Sequence, residues 1–148
     1  MVGNVIPPFE AKDLNGKSIS IGFSGDRKTT VIYIFTPQCM WCTRNLDNIK
    51  ALSGSLAENY RLIGVSLTSE DLPQYIDKNR FTFPIYTEPS SETKTNYKLG
   101  ATPRTIVISS EGKILKNWSG NYTGALKTEI EEFFQITFPA PKGDIASK

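Results

Sequence analysis

The stretch TTVIYIFTPQCMWC, residues 29–42, joins a strand-like run to the only two cysteines of the chain. Its first seven residues are all β-branched or aromatic, a pattern typical of a strand covered on both faces. A Thr-Pro pair ends that run, and the sequence predicts one helix from about residue 39 to residue 58. Cys39 and Cys42 are therefore expected at a strand-to-helix junction, the place where sites collect in open α/β sheets.

The rest of the chain alternates strands with helices, which predicts a mixed central sheet with helices on both faces. A hairpin is expected at Asn15–Gly16 and another near Glu111–Gly112. Further strands are predicted at 60–67, 83–87 and 102–109. Further helices are predicted to begin after the capping residue Ser69, to end at Gly100, and to cover 124–136. We expect residues 1–136 to form a single domain. Residues 137–148 are rich in Pro, Gly and small polar residues, so we expect a loose C-terminal tail.

The composition excludes several classes of function. The chain has 148 residues and a net charge of +2 from 17 basic and 15 acidic side chains, so we expect no nucleic-acid partner. It lacks an apolar stretch of the roughly 20 residues that a membrane span needs, and it begins with no signal-peptide pattern. There is no histidine, which removes Cys-His and Ser-His-Asp catalysis. Two cysteines cannot form a structural zinc site alone, and we expect neither a metal nor a cofactor.

The spacing of Cys39 and Cys42 suits thiol–disulfide exchange. Unpaired N–H groups at a helix start stabilise a thiolate, and such thiols have pKa values of about 3.5–7.5 instead of about 8.5. Cys42 lies one turn further on and is expected to be more buried. Cys39 is therefore the better nucleophile, and Cys42 is placed to resolve the mixed disulfide. An inert cross-link is a weaker interpretation, because a bridge this short closes too small a loop to constrain the unfolded chain.

Four stretches together resemble a known family. They are IPPFEAKDLNGKSISI (6–21), VIYIFTPQCMWC (31–42), the segment 69–99, and GATPRTIVISSEGKI (100–114). The chain resembles the thioredoxin fold and, within it, the TlpA/ResA-like thiol–disulfide oxidoreductases, which are related to AhpC/TSA proteins. The resemblance implies a thioredoxin-like three-layer sandwich with an N-terminal β-hairpin, in which 69–99 is a helix and strand inserted in the middle.

The resemblance also implies roles for residues and partners. Cys39 would be the nucleophile and Cys42 the resolving cysteine, and a cis Thr102–Pro103 bond would place Thr102 beside them to pair with an extended substrate. The substrates would be protein thiols or disulfides, and an upstream redox partner would recharge the site. Reduction is the favoured direction, ahead of oxidation or isomerisation. The family works outside the cytoplasm, tethered by an N-terminal segment that would lie outside the given chain. We expect a monomer.

The filling of the cysteine motif departs from the family pattern. Its dipeptide is often X-Pro, but here it is Met40-Trp41. One interpretation is that an exposed Trp41 only covers an apolar surface beside the cysteines. The functional hypothesis is that Trp41, with Met40, forms a docking surface for unfolded or extended proteins.

Two further departures concern proton transfer. Asn45 stands where the family commonly has Glu, and Tyr33 stands where thioredoxin keeps a buried Asp. No protein base for Cys42 can be named from the sequence. Water, or a carboxylate from the loop around Glu70 or Glu88, would have to accept the proton.

Two other functions stay open. A peroxiredoxin-like thiol peroxidase is suggested by the T-x-x-C fragment from Thr36 to Cys39, but Ile32 replaces the accompanying proline and Pro103 stands near the place of an arginine. A copper(I)-binding metallochaperone of thioredoxin fold could use both thiolates, although such proteins add a histidine that this chain lacks.

Overall fold

The computed structural model describes residues 2–23 and 27–140. Within them, seven strands form one sheet in the order β2-β1-β5-β4-β3-β6-β7. The strands are β1 (Phe9–Lys12), β2 (Ser18–Ile21), β3 (Thr29–Phe35), β4 (Tyr60–Ser66), β5 (Ile85–Thr87), β6 (Arg104–Ile108) and β7 (Ile114–Ser119). The helices are α1 (Met40–Arg44), α2 (Leu46–Ser55), α3 (Leu72–Asn79), α4 (Ser91–Asn96) and α5 (Gly124–Phe134).

The sheet is mixed, as the sequence predicts. Strands β3, β4 and β5 run parallel, whereas β6 is antiparallel to β3 and β1 is antiparallel to β5. The first two strands pair as the expected N-terminal hairpin. Because α1 follows the carboxyl end of β3, the cysteine motif lies at the edge where parallel strands end.

Strand β3 separates two hydrophobic cores, since successive side chains of a strand point to opposite faces. Val31, Tyr33 and Phe35 belong to the core that also contains buried side chains of α2, α3 and α5. Ile32 and Ile34 belong to the second core, which includes Tyr97 next to α4. The cysteine motif lies on the first side, where Cys42 joins the core.

The single helix predicted over 39–58 is two helices in the structure. Helix α1 ends and α2 begins at Asn45, whose backbone has φ −90° and ψ 0°. Its side chain is fully buried and hydrogen-bonded, so the chain turns around a fixed polar group. The second helix ends at Ser55 because Leu56 is extended.

Two other helix ends differ from the prediction. Ser69 does not cap α3, since its hydroxyl donates to Glu88, and Asp71 precedes the helix in a left-handed conformation with φ 60°. Helix α4 ends before Gly100, and Lys98 takes the left-handed φ of 52°. At the start of α3, a side-chain partner 19 residues away thus occupies the residue that the local pattern assigns to the cap.

The packed chain continues past residue 136, where the sequence placed the domain boundary. Phe138 is buried and packs on Tyr122 with ring centroids 5.2 Å apart. Its backbone N–H donates to the Glu131 carboxylate at 2.8 Å. A large aromatic side chain next to an apolar cluster anchors this segment. Most of the predicted tail, 141–148, lies outside the described residues.

Candidate active site

Cys39 and Cys42 form a disulfide with Cα atoms 5.2 Å apart, within the usual range for such bridges. Cys39 is the N-cap of α1, and its Sγ accepts the Cys42 N–H at 3.0 Å. The same N–H can stabilise a Cys39 thiolate in the reduced protein. Cys39 is partly exposed, whereas Cys42 is only 1% exposed, so the two cysteines differ in their access to solvent.

The loop before β6 lies against the cysteine turn. The Thr102–Pro103 peptide bond is cis, as the resemblance implies. The Thr102 carbonyl oxygen is 3.5 Å from Cys39 Sγ, and Pro103 is buried. The Pro103 carbonyl accepts the Gly120 N–H at 2.9 Å, which ties this loop to the chain after β7. Cys39, Cys42, Thr102 and Pro103 are therefore brought together.

The outer face of α1 carries the two side chains between the cysteines. Met40 is 59% exposed and Trp41 is 50% exposed. The guanidinium of Arg44 lies 4.8 Å from the centroid of the Trp41 ring, close enough for a cation–π contact. A large apolar ring thus stands in solvent directly beside the reactive pair.

The loop before α3 lies next to the residue preceding Cys39. The Gln38 side-chain amide donates to the Glu70 carbonyl at 3.1 Å and to the Asp71 carboxylate at 3.4 Å. This contact brings one of the two suggested acidic loops to the edge of the site. Glu88 is held elsewhere, by the Ser69 hydroxyl and by Lys12 Nζ at 3.3 Å. The hydrogen bonds from Ser69 and Lys12 lower the pKa of Glu88.

One polar side chain, Asn45, lies on the inner face of the turn. The sequence did not predict the hydrogen bonds that surround it. The fully buried Asn45 donates from Nδ2 to the Tyr33 hydroxyl at 3.2 Å. Its Oδ1 accepts the Tyr122 N–H at 2.9 Å and the Asn48 side-chain amide at 3.1 Å. We call these residues, Tyr33, Asn45, Asn48 and Tyr122, the Asn45 network.

The Asn45 network contains no ionised group. Burial raises the pKa of Tyr33 and of Tyr122 far above the ordinary value of about 10, so both phenols stay protonated at physiological pH. The sequence held one signal for this arrangement. Asn45 lies three residues after Cys42 and four before Ile49, so it shares their helix face although it is polar.

Comparison with known proteins identifies the family. The model of the AhpC/TSA family matches residues 2–117, which is most of the chain. The chain belongs to the AhpC/TSA family. This agrees with the resemblance carried by the cysteine motif and the Thr102–Pro103 loop.

Individual relatives narrow the activity within the AhpC/TSA family. A thioredoxin-like protein of Haemophilus influenzae is 29% identical over 117 residues, covering 77% of this chain and 68% of that protein. The sporulation thiol-disulfide oxidoreductase A of Bacillus subtilis is 26% identical over 131 residues, covering 84% of this chain and 78% of that protein. The expected class of enzyme, a thiol–disulfide oxidoreductase, is confirmed, and neither the peroxidase nor the copper-binding alternative is favoured.

Solved structures establish the fold. The crystal structure of StoA from Bacillus subtilis aligns with a TM-score of 0.67 at 21% identity, covering 87% of this chain and 97% of that one. At that identity the likeness concerns the fold alone. The predicted thioredoxin-like fold, an open mixed sheet between helices, is confirmed.

Proposed function

We propose that this enzyme reduces disulfides in proteins, with Cys39 as the attacking thiol and Cys42 as the resolving thiol. The observation that carries the proposal is the unequal exposure of the two cysteines. Cys39 is partly exposed beside the Thr102 carbonyl, and Cys42 is buried behind it. An incoming disulfide can reach Cys39, whereas Cys42 reaches only the neighbouring Cys39 Sγ.

The exchange proceeds in two displacements that balance in atoms and electrons. The Cys39 thiolate attacks one sulfur of the substrate disulfide, a new S–S bond forms, and the other substrate sulfur leaves as a thiolate. Cys42, after losing its proton, then attacks Cys39 Sγ, and the second substrate thiolate leaves. Two electrons pass from the Cys39–Cys42 dithiol to the substrate, whose thiolates take up protons.

The surroundings of Cys39 support a polypeptide substrate. An extended segment can pair with the backbone at Thr102, in the manner of strand addition, with Pro103 fixing the loop beneath it. On the other side of the sulfur, the exposed Met40 and Trp41 offer apolar contact to side chains that flank the substrate cysteine. Together they would hold a protein disulfide more tightly than a small one.

A proton acceptor is needed when Cys42 becomes the attacking group. The Asn45 network cannot supply one, since its phenols keep their protons. Water entering from the side of Gln38, where the acidic loop of Glu70 and Asp71 lies, is the acceptor that fits this arrangement.

The family resemblance supports a proposal for the setting and partners of the enzyme. We place the enzyme outside the cytoplasm, where disulfides form and persist, and infer that it works as a monomer recharged by an upstream dithiol donor. None of the helices within residues 2–23 and 27–140 is long and apolar enough to cross a membrane. Labelling Cys39 in intact cells with a membrane-impermeant thiol reagent tests the location. Labelling only after lysis would contradict it.

Two assays test the activity and its direction. With dithiothreitol as donor, the wild-type protein should accelerate the reduction of insulin, and Cys39→Ser should not. Equilibration against glutathione should give a potential near that of thioredoxin, about −270 mV. A strongly oxidising potential, near the −120 mV or so of a dedicated oxidant, would overturn the assignment as a reductase.

A further inference from the structure

The Asn45 network connects the two halves of the site. The Asn45 N–H bonds the carbonyls of Trp41 and Cys42, each at 3.1 Å, which closes the turn that carries the cysteines. From the other side, Asn45 Oδ1 accepts the backbone N–H of Tyr122 at 2.9 Å. One buried side chain thus bonds the chain after β7 to the end of the cysteine helix.

The chain after β7 is in turn bonded to the Thr102–Pro103 loop. The Gly120 N–H donates to the Pro103 carbonyl at 2.9 Å. The Tyr122 hydroxyl is 2.6 Å from Thr105 Oγ1, two residues beyond Pro103, and both groups are buried. Two hydrogen bonds and the short main-chain segment 120–122 therefore connect the cysteine turn, through Asn45 and Tyr122, to the loop that faces Cys39 Sγ.

We propose that Asn45 is a positioning residue that holds the Thr102–Pro103 loop in place relative to the cysteine turn through its bond to the Tyr122 backbone. This inference rests on the proposed function, because the loop matters only if a substrate backbone pairs with it. A peptide held at Thr102 must present its sulfur to Cys39, and a displacement near 1 Å in such an arrangement costs up to about 100-fold in rate. A small disulfide without a peptide backbone, such as hydroxyethyl disulfide, cannot pair with the loop, so its rate does not depend on the position of the loop.

Two variants separate position from thiol reactivity. Asn45→Ala removes the acceptor of the Tyr122 N–H. Asn45→Asp keeps an oxygen at that place, and the Tyr33 hydroxyl can rotate to donate to the second carboxyl oxygen. Any effect of either variant on thiol reactivity acts on every substrate alike. The ratio of the insulin rate to the hydroxyethyl disulfide rate therefore isolates the position of the loop.

We expect Asn45→Ala to lower that ratio roughly tenfold, while Asn45→Asp keeps it within about threefold of wild type. Ser53→Ala, at the far end of α2 where its hydroxyl lies 3.3 Å from the exposed Thr82 hydroxyl, is the matched control and should leave the ratio unchanged. An unchanged ratio in Asn45→Ala, or an equal fall in both Asn45 variants, would overturn the proposal.

Amide hydrogen exchange of the oxidised protein gives a readout that needs no activity. Asn45→Ala should speed exchange of the Gly120 N–H, the group bonded to Pro103, by about tenfold or more, and Asn45→Asp should not. If wild type reduces neither substrate, the proposed function fails, and exchange at Gly120 still decides the positioning role. Should Asn45→Ala not fold, Tyr122→Phe loosens the same path at Thr105. It should lower the ratio about threefold, and no change would count against the proposal.

Discussion

The two faces of helix α1 differ in almost every physical respect. The outer face presents Met40 and Trp41 to solvent with Arg44 beside the ring. The inner face buries Cys42 and Asn45 against phenols and backbone, with no ionised group in the Asn45 network. The helix and its C-cap residue Asn45 thus combine an exposed apolar side with a buried, hydrogen-bonded one.

Because of this difference, we expect the outer face to contact the substrate and the inner face to hold the cysteine turn in place. Apolar area in water contributes energy only when a partner covers it, so the outer face can bind without stabilising the fold. Satisfied polar groups in the interior cost free energy when a partner is removed, so the inner face fixes geometry. Changes on the two faces should therefore fail in different assays, and the following experiments test that separation from the largest expected effect to the smallest.

The largest effect belongs to the exposed sulfur. Cys39→Ser should lower insulin reduction to the uncatalysed background, because a serine hydroxyl is not ionised at neutral pH and cannot attack a disulfide. Its unfolding free energy should match that of reduced wild type in a urea titration. Residual catalysis would mean that Cys42 attacks directly, which contradicts the separation of the faces.

On the inner face, Tyr33→Phe should lower the free energy of unfolding. The change leaves the buried Asn45 Nδ2 without its acceptor at 3.2 Å, and an unsatisfied buried group costs about 1–3 kcal/mol. Urea unfolding of the oxidised protein measures the loss. On the outer face, Trp41→Ala should change the same free energy by less than about 0.5 kcal/mol. Equal losses from both variants would remove the distinction.

The buried phenols also predict an alkaline limit. The pKa of Tyr33 and Tyr122 is raised by burial in the folded protein but is about 10 when unfolded. Above pH 10 the unfolded chain loses protons that the folded chain keeps, so stability falls as pH rises, by about 1 kcal/mol per tyrosine at pH 11. Unfolding between pH 8 and pH 11 checks this, and Tyr33→Phe should show the shallower slope. Identical slopes would mean that the Tyr33 phenol ionises normally.

The outer face should affect substrate choice alone. Trp41→Ala should lower insulin turnover about fivefold, the effect of removing a modest contact residue, and leave glutathione disulfide turnover unchanged. In contrast to Asn45→Ala, it should not alter exchange at Gly120. If both substrates slow equally, Trp41 acts on the thiols and is no docking residue.

The smallest effect is expected away from both faces. Hydrogen bonds from Ser69 and Lys12 lower the pKa of Glu88 in the folded protein. Its contribution to stability is present above the ordinary carboxyl pKa of about 4.3, and it is lost as pH falls through the lower folded value. Glu88→Gln should slightly flatten the decline of stability between pH 6 and pH 3. A steeper decline would contradict the assigned bonds.

Local pattern was sufficient for the strands and for the cysteine junction. The β-branched run before Cys39 is typical of a covered strand, and the spacing of the cysteines after it favours thiol–disulfide exchange. Local pattern was insufficient where a residue distant in sequence determines the end of a helix. Asn45 breaks the predicted helix because Tyr33 and Tyr122 bind its side chain, and Ser69 leaves its capping role for Glu88.

The residues around the reactive sulfurs could be predicted from the sequence, whereas the buried residues that hold them in place could not. Cys39, Cys42, Thr102 and Pro103 were named from the motif and the resemblance, and they meet in space. Tyr33 and Asn45 were visible only as separate departures from a family pattern. The hydrogen bond between them joins residues 12 positions apart. It depends on how the turn after α1 packs on β3, which no single stretch of sequence contains.

The central claim is that the exposed sulfur attacks and the buried sulfur resolves. Mass spectrometry of Cys42→Ser mixed with an oxidised peptide tests it most directly, with Cys39→Ser as the matched control. The account predicts a stable adduct of one peptide on Cys39 in the first variant and none in the second. An adduct on Cys42 in Cys39→Ser, formed at a comparable rate, would contradict it.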